Sequence, residues 1–122
     1  MEKLALGCAA VSGFVGVAMG AFAAHGLKGR IDDTLLGVFQ TGAHYQLIHA
    51  LALFGVGLWL ARVDSPALRA AAWCFLVGTV IFSGSLYTLA LTGVRAWGAV
   101  TPIGGVAFLL GWAALAVAAW RS

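Results

Sequence analysis

The stretch "LALGCAAVSGFVGVAMGAFAAHGL", residues 4–27, contains no Asp, Glu, Lys or Arg among its 24 residues. An α-helix rises about 1.5 Å per residue, so roughly 20 apolar residues cross the hydrocarbon core of a bilayer. The stretch is long enough and apolar enough to do this. The sequence therefore predicts a membrane-spanning helix here.

Three further runs without those charged residues follow, of 28, 25 and 25 residues, at 34–61, 70–94 and 96–120. The 122-residue chain is 62% hydrophobic and only 9% charged, with a mean hydropathy of +1.00, far from the composition of soluble domains. Four spans use nearly the whole chain. We therefore predict an all-α integral membrane protein: a four-helix bundle with up-down-up-down topology and short loops, forming a single domain over residues 1–122.

The predicted helices cover about residues 4–24, 34–61, 66–92 and 101–120. Ser65-Pro66 and Thr101-Pro102 each pair a capping residue with a proline, which is typical of a helix start. The second run is longer than one span requires. We expect its first turns to lie along the membrane surface before a break near Gly42; tilting of an unbroken helix is the alternative.

Small residues form a stripe on the first and fourth predicted helices. A GxxxG spacing allows two helix backbones to approach closely in a membrane. We therefore expect both stripes to pack against protein, and their glycines are Gly13, Gly16, Gly20, Gly104 and Gly111.

The charged residues report topology rather than a charged partner. The formal net charge is +3, but the cations are scattered over short loops instead of clustered on one face, so nucleic acid is not an expected partner. The side that holds the two termini and the second loop, called the terminal side, has four cations against three on the other side. This difference predicts that both termini are cytoplasmic. The cations are Lys3, Arg62, Arg69 and Arg121 on the terminal side, and Lys28, Arg30 and Arg95 opposite.

Most polar residues of the predicted spans fall on the side that holds the first and third loops, called the loop-1/loop-3 side. Polar groups inside a membrane are costly and are therefore candidates for function. The hypothetical ligand-binding set is His25, Tyr45, Gln46, His49, Ser83, Ser85 and Tyr87.

His49 is the deepest of the three histidines. It could hydrogen-bond a neighbouring helix, handle a ligand or proton, or hold a metal ion together with His25, and His25 and Tyr87 are its expected neighbours. His44 is predicted to be an interfacial residue. The two cysteines, Cys8 and Cys74, fall on the terminal side and are expected to be reduced if that side is cytoplasmic.

No catalytic residue is predicted. The chain has no paired nucleophile and base, no phosphate-binding loop and no metal-binding motif. Asp32 and Asp33 are better explained as capping residues of the second helix. The sequence leaves the question of a cofactor open.

Four segments resemble the YgdD/YwdK family of small bacterial inner-membrane proteins, a domain of unknown function (423) related to mitochondrial transmembrane protein 256. The resemblance covers essentially the whole chain and implies a four-helix protein of the bacterial inner membrane. It implies no activity, cofactor or catalytic residue. The segments are "GAFAAHGL" (20–27), "FQTGAHYQLIHALAL" (39–53), "FSGSLYTLALTG" (82–93) and "TPIGGVAFLLGW" (101–112).

Three functions remain open, all in contact with the lipid bilayer. The first is a non-enzymatic interaction, accessory or assembly protein, acting as a homo-oligomer or within a larger membrane complex. The second is a binding protein for a lipid, a quinone or a metal on the loop-1/loop-3 side. The third is an oligomeric pore or transporter with a polar path along Tyr45, His49 and Ser83.

Overall fold

The computed structural model describes all 122 residues and contains four long helices and no strand. The four helices are long and apolar enough to cross a membrane. The predicted all-α, four-helix membrane fold is thus confirmed. The helices are α1 (Glu2–Phe22), which continues in a π-helical turn (Ala23–Leu27), α2 (Asp33–Leu60), α3 (Pro66–Thr92) and α4 (Thr101–Arg121), which follows a 3-10 turn (Arg95–Ala99).

The helices pack in the order of the chain: α1 on α2, α2 on α3, and α3 on α4. Short connections make sequential helices antiparallel. Because α1 packs mainly on α2 and α4 mainly on α3, the bundle is open at both edges. This openness leaves concave surfaces beside α1 that face the surrounding lipid.

The start and end of α3 are set by residues that commonly begin and end helices. The Leu68 N–H donates to the Ser65 hydroxyl over 3.3 Å, and Pro66 is the first helical residue. Gly93 closes the helix in the left-handed conformation, with a φ of 71°.

The predicted break near Gly42 is wrong, because α2 is continuous from Asp33 to Leu60. Gly42 is buried where α2 crosses α3, and a Cβ at this position would lie 2.9 Å from the Tyr87 ring. The glycine therefore allows close packing of two helices and does not turn the chain. Leu36 and Phe39, in the first turns of α2, are buried against protein.

Two apolar clusters form the core. The larger contains residues of all four helices: Ala5, Ala9, Leu53, Val56, Leu60, Leu68, Ala71, Ala72, Phe75, Phe108 and Ala118. The smaller contains Ala23, Leu27, Leu36, Phe39 and Ala90. Since lipid tails are as apolar as these side chains, close packing rather than water exclusion holds the helices together.

The glycines of the two small-residue stripes have different surroundings. A Cβ on Gly104 would lie 2.7 Å from the Phe82 Cα, and one on Gly111 would lie 2.6 Å from the Phe75 ring. On α1, a Cβ on Gly16 would lie 2.8 Å from the Leu47 side chain, whereas one on Gly13 would meet only the Ala50 Cβ, at 4.0 Å. A Cβ on Gly20 would have no atom of another helix within 4 Å.

Replacing Gly104 with alanine should separate α3 from α4, because the new methyl group meets backbone that cannot rotate away. We expect a loss of about 1–3 kcal/mol in the free energy of unfolding, typical of overpacking. The measurement is the unfolding equilibrium of the purified protein in detergent.

Gly55→Ala is the matched control, since no other atom lies within 4 Å of a Cβ at Gly55. It should be neutral or slightly stabilising, because alanine favours a helix over glycine. Equal stability of Gly104→Ala and Gly55→Ala would contradict the close approach of α3 and α4.

Candidate functional site

The imidazole of His49 lies inside an aromatic cluster formed by α2, α3 and α4. Its ring stacks on Phe108 with a centroid separation of 3.6 Å and an angle of 9° between the planes. Phe75 and Trp112 meet the same ring edge to face, at 5.5 and 5.9 Å. Only 4% of His49 is exposed, so packing fixes the position of the ring.

Both ring nitrogens of His49 have hydrogen-bond partners. The indole N–H of Trp112 donates to Nε2 over 3.1 Å, which requires that Nε2 carry no proton. The neutral ring is therefore protonated at Nδ1, which donates to the Tyr45 carbonyl at 2.8 Å. A metal ion at Nε2 would have to displace Trp112.

Gln46 lies on another side of α2 and connects it to α1 and α3. Its amide nitrogen donates to the Ser12 carbonyl over 3.1 Å, and its amide oxygen accepts from the Tyr87 hydroxyl at 2.6 Å. A hydrogen bond between transmembrane helices contributes about 0.6 kcal/mol on average and up to roughly 1.7 kcal/mol. The network of Ser12, Gln46 and Tyr87 therefore helps to hold α1 in place.

The two serines of the candidate set join further helix pairs. The Ser83 hydroxyl donates to the Gly42 carbonyl over 2.7 Å, which links α3 to α2. Ser85 shares a 2.6 Å hydrogen bond with the Thr101 hydroxyl, which links α3 to α4. No buried side-chain nitrogen or oxygen in the chain lacks a partner.

The structure does not bring His49 together with His25 or Tyr87, the neighbours expected from the sequence. His25 is exposed in the π-helical turn and makes no side-chain hydrogen bond, and Tyr87 bonds Gln46 instead. Tyr45 is 39% exposed, and its ring is nearly parallel to that of His49 and tilted against that of Phe82. No group of three or more His, Cys, Asp or Glu side chains is placed to hold a metal ion.

Three residues whose side chains hydrogen-bond to members of the predicted set were not in it, namely Ser12, Thr101 and Trp112. Ser12 is the one hydroxyl residue in the stretch 4–27, and that isolation was a signal of a polar partner. Trp112 gave no such signal, because the sequence does not show whether the indole N–H of a tryptophan meets a buried acceptor or whether the ring only packs against its neighbours.

Two concave surfaces flank α1. The first, called the α1–α3 groove, has a volume of about 680 Å³, with Leu4, Val11 and Val15 on one wall, Leu76 and Val80 on the other, and Gln46 at its floor. The second, called the α1–α2 face, is a depression of about 570 Å³ lined by Ala9, Gly13, Phe14 and Val17 of α1 and by Ala50 and Phe54 of α2. Both are almost wholly apolar.

The family model described as "Protein of unknown function (DUF423)" matches residues 19–105, from the end of α1 to the start of α4. The chain belongs to this family. The resemblance found in the sequence is thereby confirmed.

Relatives in the DUF423 family match most of the chain. The UPF0382 inner membrane protein YgdD of Escherichia coli (strain K12) is 47% identical over 113 residues, which cover 93% of this chain and 86% of the relative. The UPF0382 membrane protein YwdK of Bacillus subtilis (strain 168) is 43% identical over 111 residues, 90% of each chain. No solved structure matches significantly. The four spans and the location of these relatives identify a multi-pass protein of the bacterial inner membrane, of uncharacterised function.

Trp112→Phe should leave the His49 ring without its indole donor while preserving most of the aromatic packing. We expect a loss of roughly 0.6–1.7 kcal/mol in the free energy of unfolding. We also expect a change in the Nε2 chemical shift in ¹⁵N NMR of labelled histidine. In the wild type, the same spectrum should show the Nδ1–H tautomer.

Trp120→Phe provides the control, since Trp120 is 89% exposed at the end of α4. It should change neither the His49 nitrogen shifts nor the stability. An unchanged Nε2 shift in Trp112→Phe would show that the indole does not donate to His49.

Proposed function

We propose that this protein is a non-enzymatic accessory protein of the inner membrane that binds a transmembrane helix through the α1–α2 face. The bound helix belongs to a second copy of the chain or to a subunit of a larger membrane complex. The observation that supports this proposal is the shape of that face, which has small residues at its centre and large exposed apolar side chains at its edge.

The centre of the face suits close contact between helix backbones. Ala9, Gly13 and Ala50 leave a shallow floor, and Phe14, with 79% of its surface exposed, stands at its edge. In lipid, helices associate by van der Waals packing, and small residues allow their backbones to approach. An incoming helix could therefore bury Phe14 while resting on the alanine and glycine floor.

The rest of the chain favours a partner inside the bilayer over a soluble one. The connections between α1 with its π-helical turn, α2, α3 and α4 cover only residues 28–32, 61–65 and 93–100. They offer little surface outside the membrane. Inside it, Gln46, His49, Ser83 and Ser85 hydrogen-bond within the chain, so the exposed surface available for recognition is mainly apolar.

Crosslinking in living cells tests this proposal. A photoreactive amino acid at Val17, which lines the α1–α2 face, should give a protein adduct of defined mass. The same amino acid at Leu109, which is 71% exposed on α4, should give no such adduct. The adducts are detected by electrophoresis and identified by mass spectrometry.

A pair of glycine variants sharpens the test. Gly13→Leu fills the α1–α2 face and should reduce the Val17 adduct at least fivefold. Gly7→Leu adds the same side chain to the α1–α3 groove and should leave the adduct unchanged. An adduct that is equally strong from Val17 and Leu109, or that persists in Gly13→Leu, would contradict helix binding at this face.

A further inference from the structure

The α1–α3 groove is a second surface and is independent of the α1–α2 face. It lies between two helices that both pack on α2 but have little contact with each other. Its volume of about 680 Å³ falls within the roughly 300–1,000 Å³ typical of sites that hold small molecules. The groove is therefore large enough for a ligand, and it opens toward lipid.

The floor of the groove favours an apolar ligand over a polar one. Gln46, Tyr87 and Ser83 line it, but their polar groups are already hydrogen-bonded to Ser12, to each other and to Gly42. What they present to the groove is mainly carbon. A ligand with many polar groups would find few free partners there.

One end of the groove carries a single charge. Lys3 is the one charged residue of the lining, it is exposed, and it forms no ion pair. The neighbouring carboxylate of Glu2 lies 3.5 Å from the N-terminal ammonium, which offsets its charge. The groove therefore offers a cation at the membrane surface and apolar walls below it.

The groove is longer than one leaflet is deep. Lys3 and Met19 both line it, and they are 16 positions apart, which corresponds to about 24 Å along the helix. One leaflet contributes about 15 Å of the hydrocarbon core. An acyl chain that begins beside Lys3 can thus lie along the walls as far as the centre of the bilayer.

We infer that the α1–α3 groove binds an anionic phospholipid from the leaflet on the terminal side. The charge of Lys3, the apolar walls and a floor whose polar groups already hydrogen-bond within the chain support this inference. One acyl chain lies between α1 and α3, and the phosphate headgroup contacts Lys3. The site differs from the ligand site expected from the sequence, because it excludes His25 and His49 and begins on the terminal side. Binding here goes beyond the proposed helix-binding function and does not depend on it.

Native mass spectrometry of delipidated protein tests the inference. The probes are phosphatidylglycerol and phosphatidylcholine with identical acyl chains, each titrated into the detergent-solubilised protein. We expect one phosphatidylglycerol to bind with about fivefold higher affinity than phosphatidylcholine, which corresponds to one lysine near an anionic headgroup. Lys3→Gln should remove this preference and leave phosphatidylcholine binding unchanged.

Substitution of groove glycines tests the position of the chain. Gly7→Leu and Gly84→Leu each place a side chain in the groove, and a Cβ at either position has no other atom within 4 Å, so the fold should tolerate both. Each should lower phosphatidylglycerol affinity at least fivefold. Gly13→Leu, on the α1–α2 face, is the matched control and should bind like the wild type.

Photolabelling of the wild type checks the site without any substitution. A phosphatidylglycerol with a photoreactive group near the middle of its acyl chain should label peptides that contain Val11 or Val80 more strongly than the peptide that contains Leu109. Wild-type affinity in both groove variants, equal affinity for the two lipids, or uniform labelling of all exposed helices would overturn the inference. Loss of a dimer in Gly84→Leu with unchanged lipid binding would overturn it as well, and would assign the groove to a second copy.

Discussion

Gln46 provides the interaction on which the arrangement of the first three helices depends. It lies near the middle of α2, where no water is available to satisfy an amide, and it bonds Ser12 on one side and Tyr87 on the other. Since lipid tails are as apolar as the helix surfaces, burial of apolar side chains does not by itself select partners, and paired polar groups such as these help to define which helices are neighbours. The same pairing closes the floor of the α1–α3 groove and leaves it apolar.

His49 connects α2 to α4, which Gln46 does not reach. It lies one turn after Gln46, yet it contacts α3 and α4 through Phe75, Phe108 and Trp112. Its two nitrogens are as fully used as the amide of Gln46. The buried polar residues of the candidate set are therefore occupied in holding helices together, and the two concave surfaces beside α1 are lined mainly by apolar side chains.

The sequence was sufficient for the four spans, because the positions of a few charged residues separate them. It was not sufficient for the neighbours of individual side chains. Gln46 and His49 lie only about 60° apart around the helix, but Gln46 bonds α1 and α3 whereas His49 contacts α3 and α4. An angle alone does not say where a neighbouring helix lies. In the sequence alone, Gly42 is compatible with a bend in α2 or with a close contact to another helix. The structure shows the close contact, because the Tyr87 ring of α3 lies beside Gly42.

Because α1 packs mainly on α2, the first 60 residues already contain both partners of that contact. During synthesis the chain emerges from its N-terminus, so α1 and α2 can pair as a helical hairpin before α3 exists. In that hairpin the Gln46 amide oxygen does not yet have its donor, the Tyr87 hydroxyl of α3. The arrival of α3 satisfies that oxygen, and in the same step it creates the second wall of the groove.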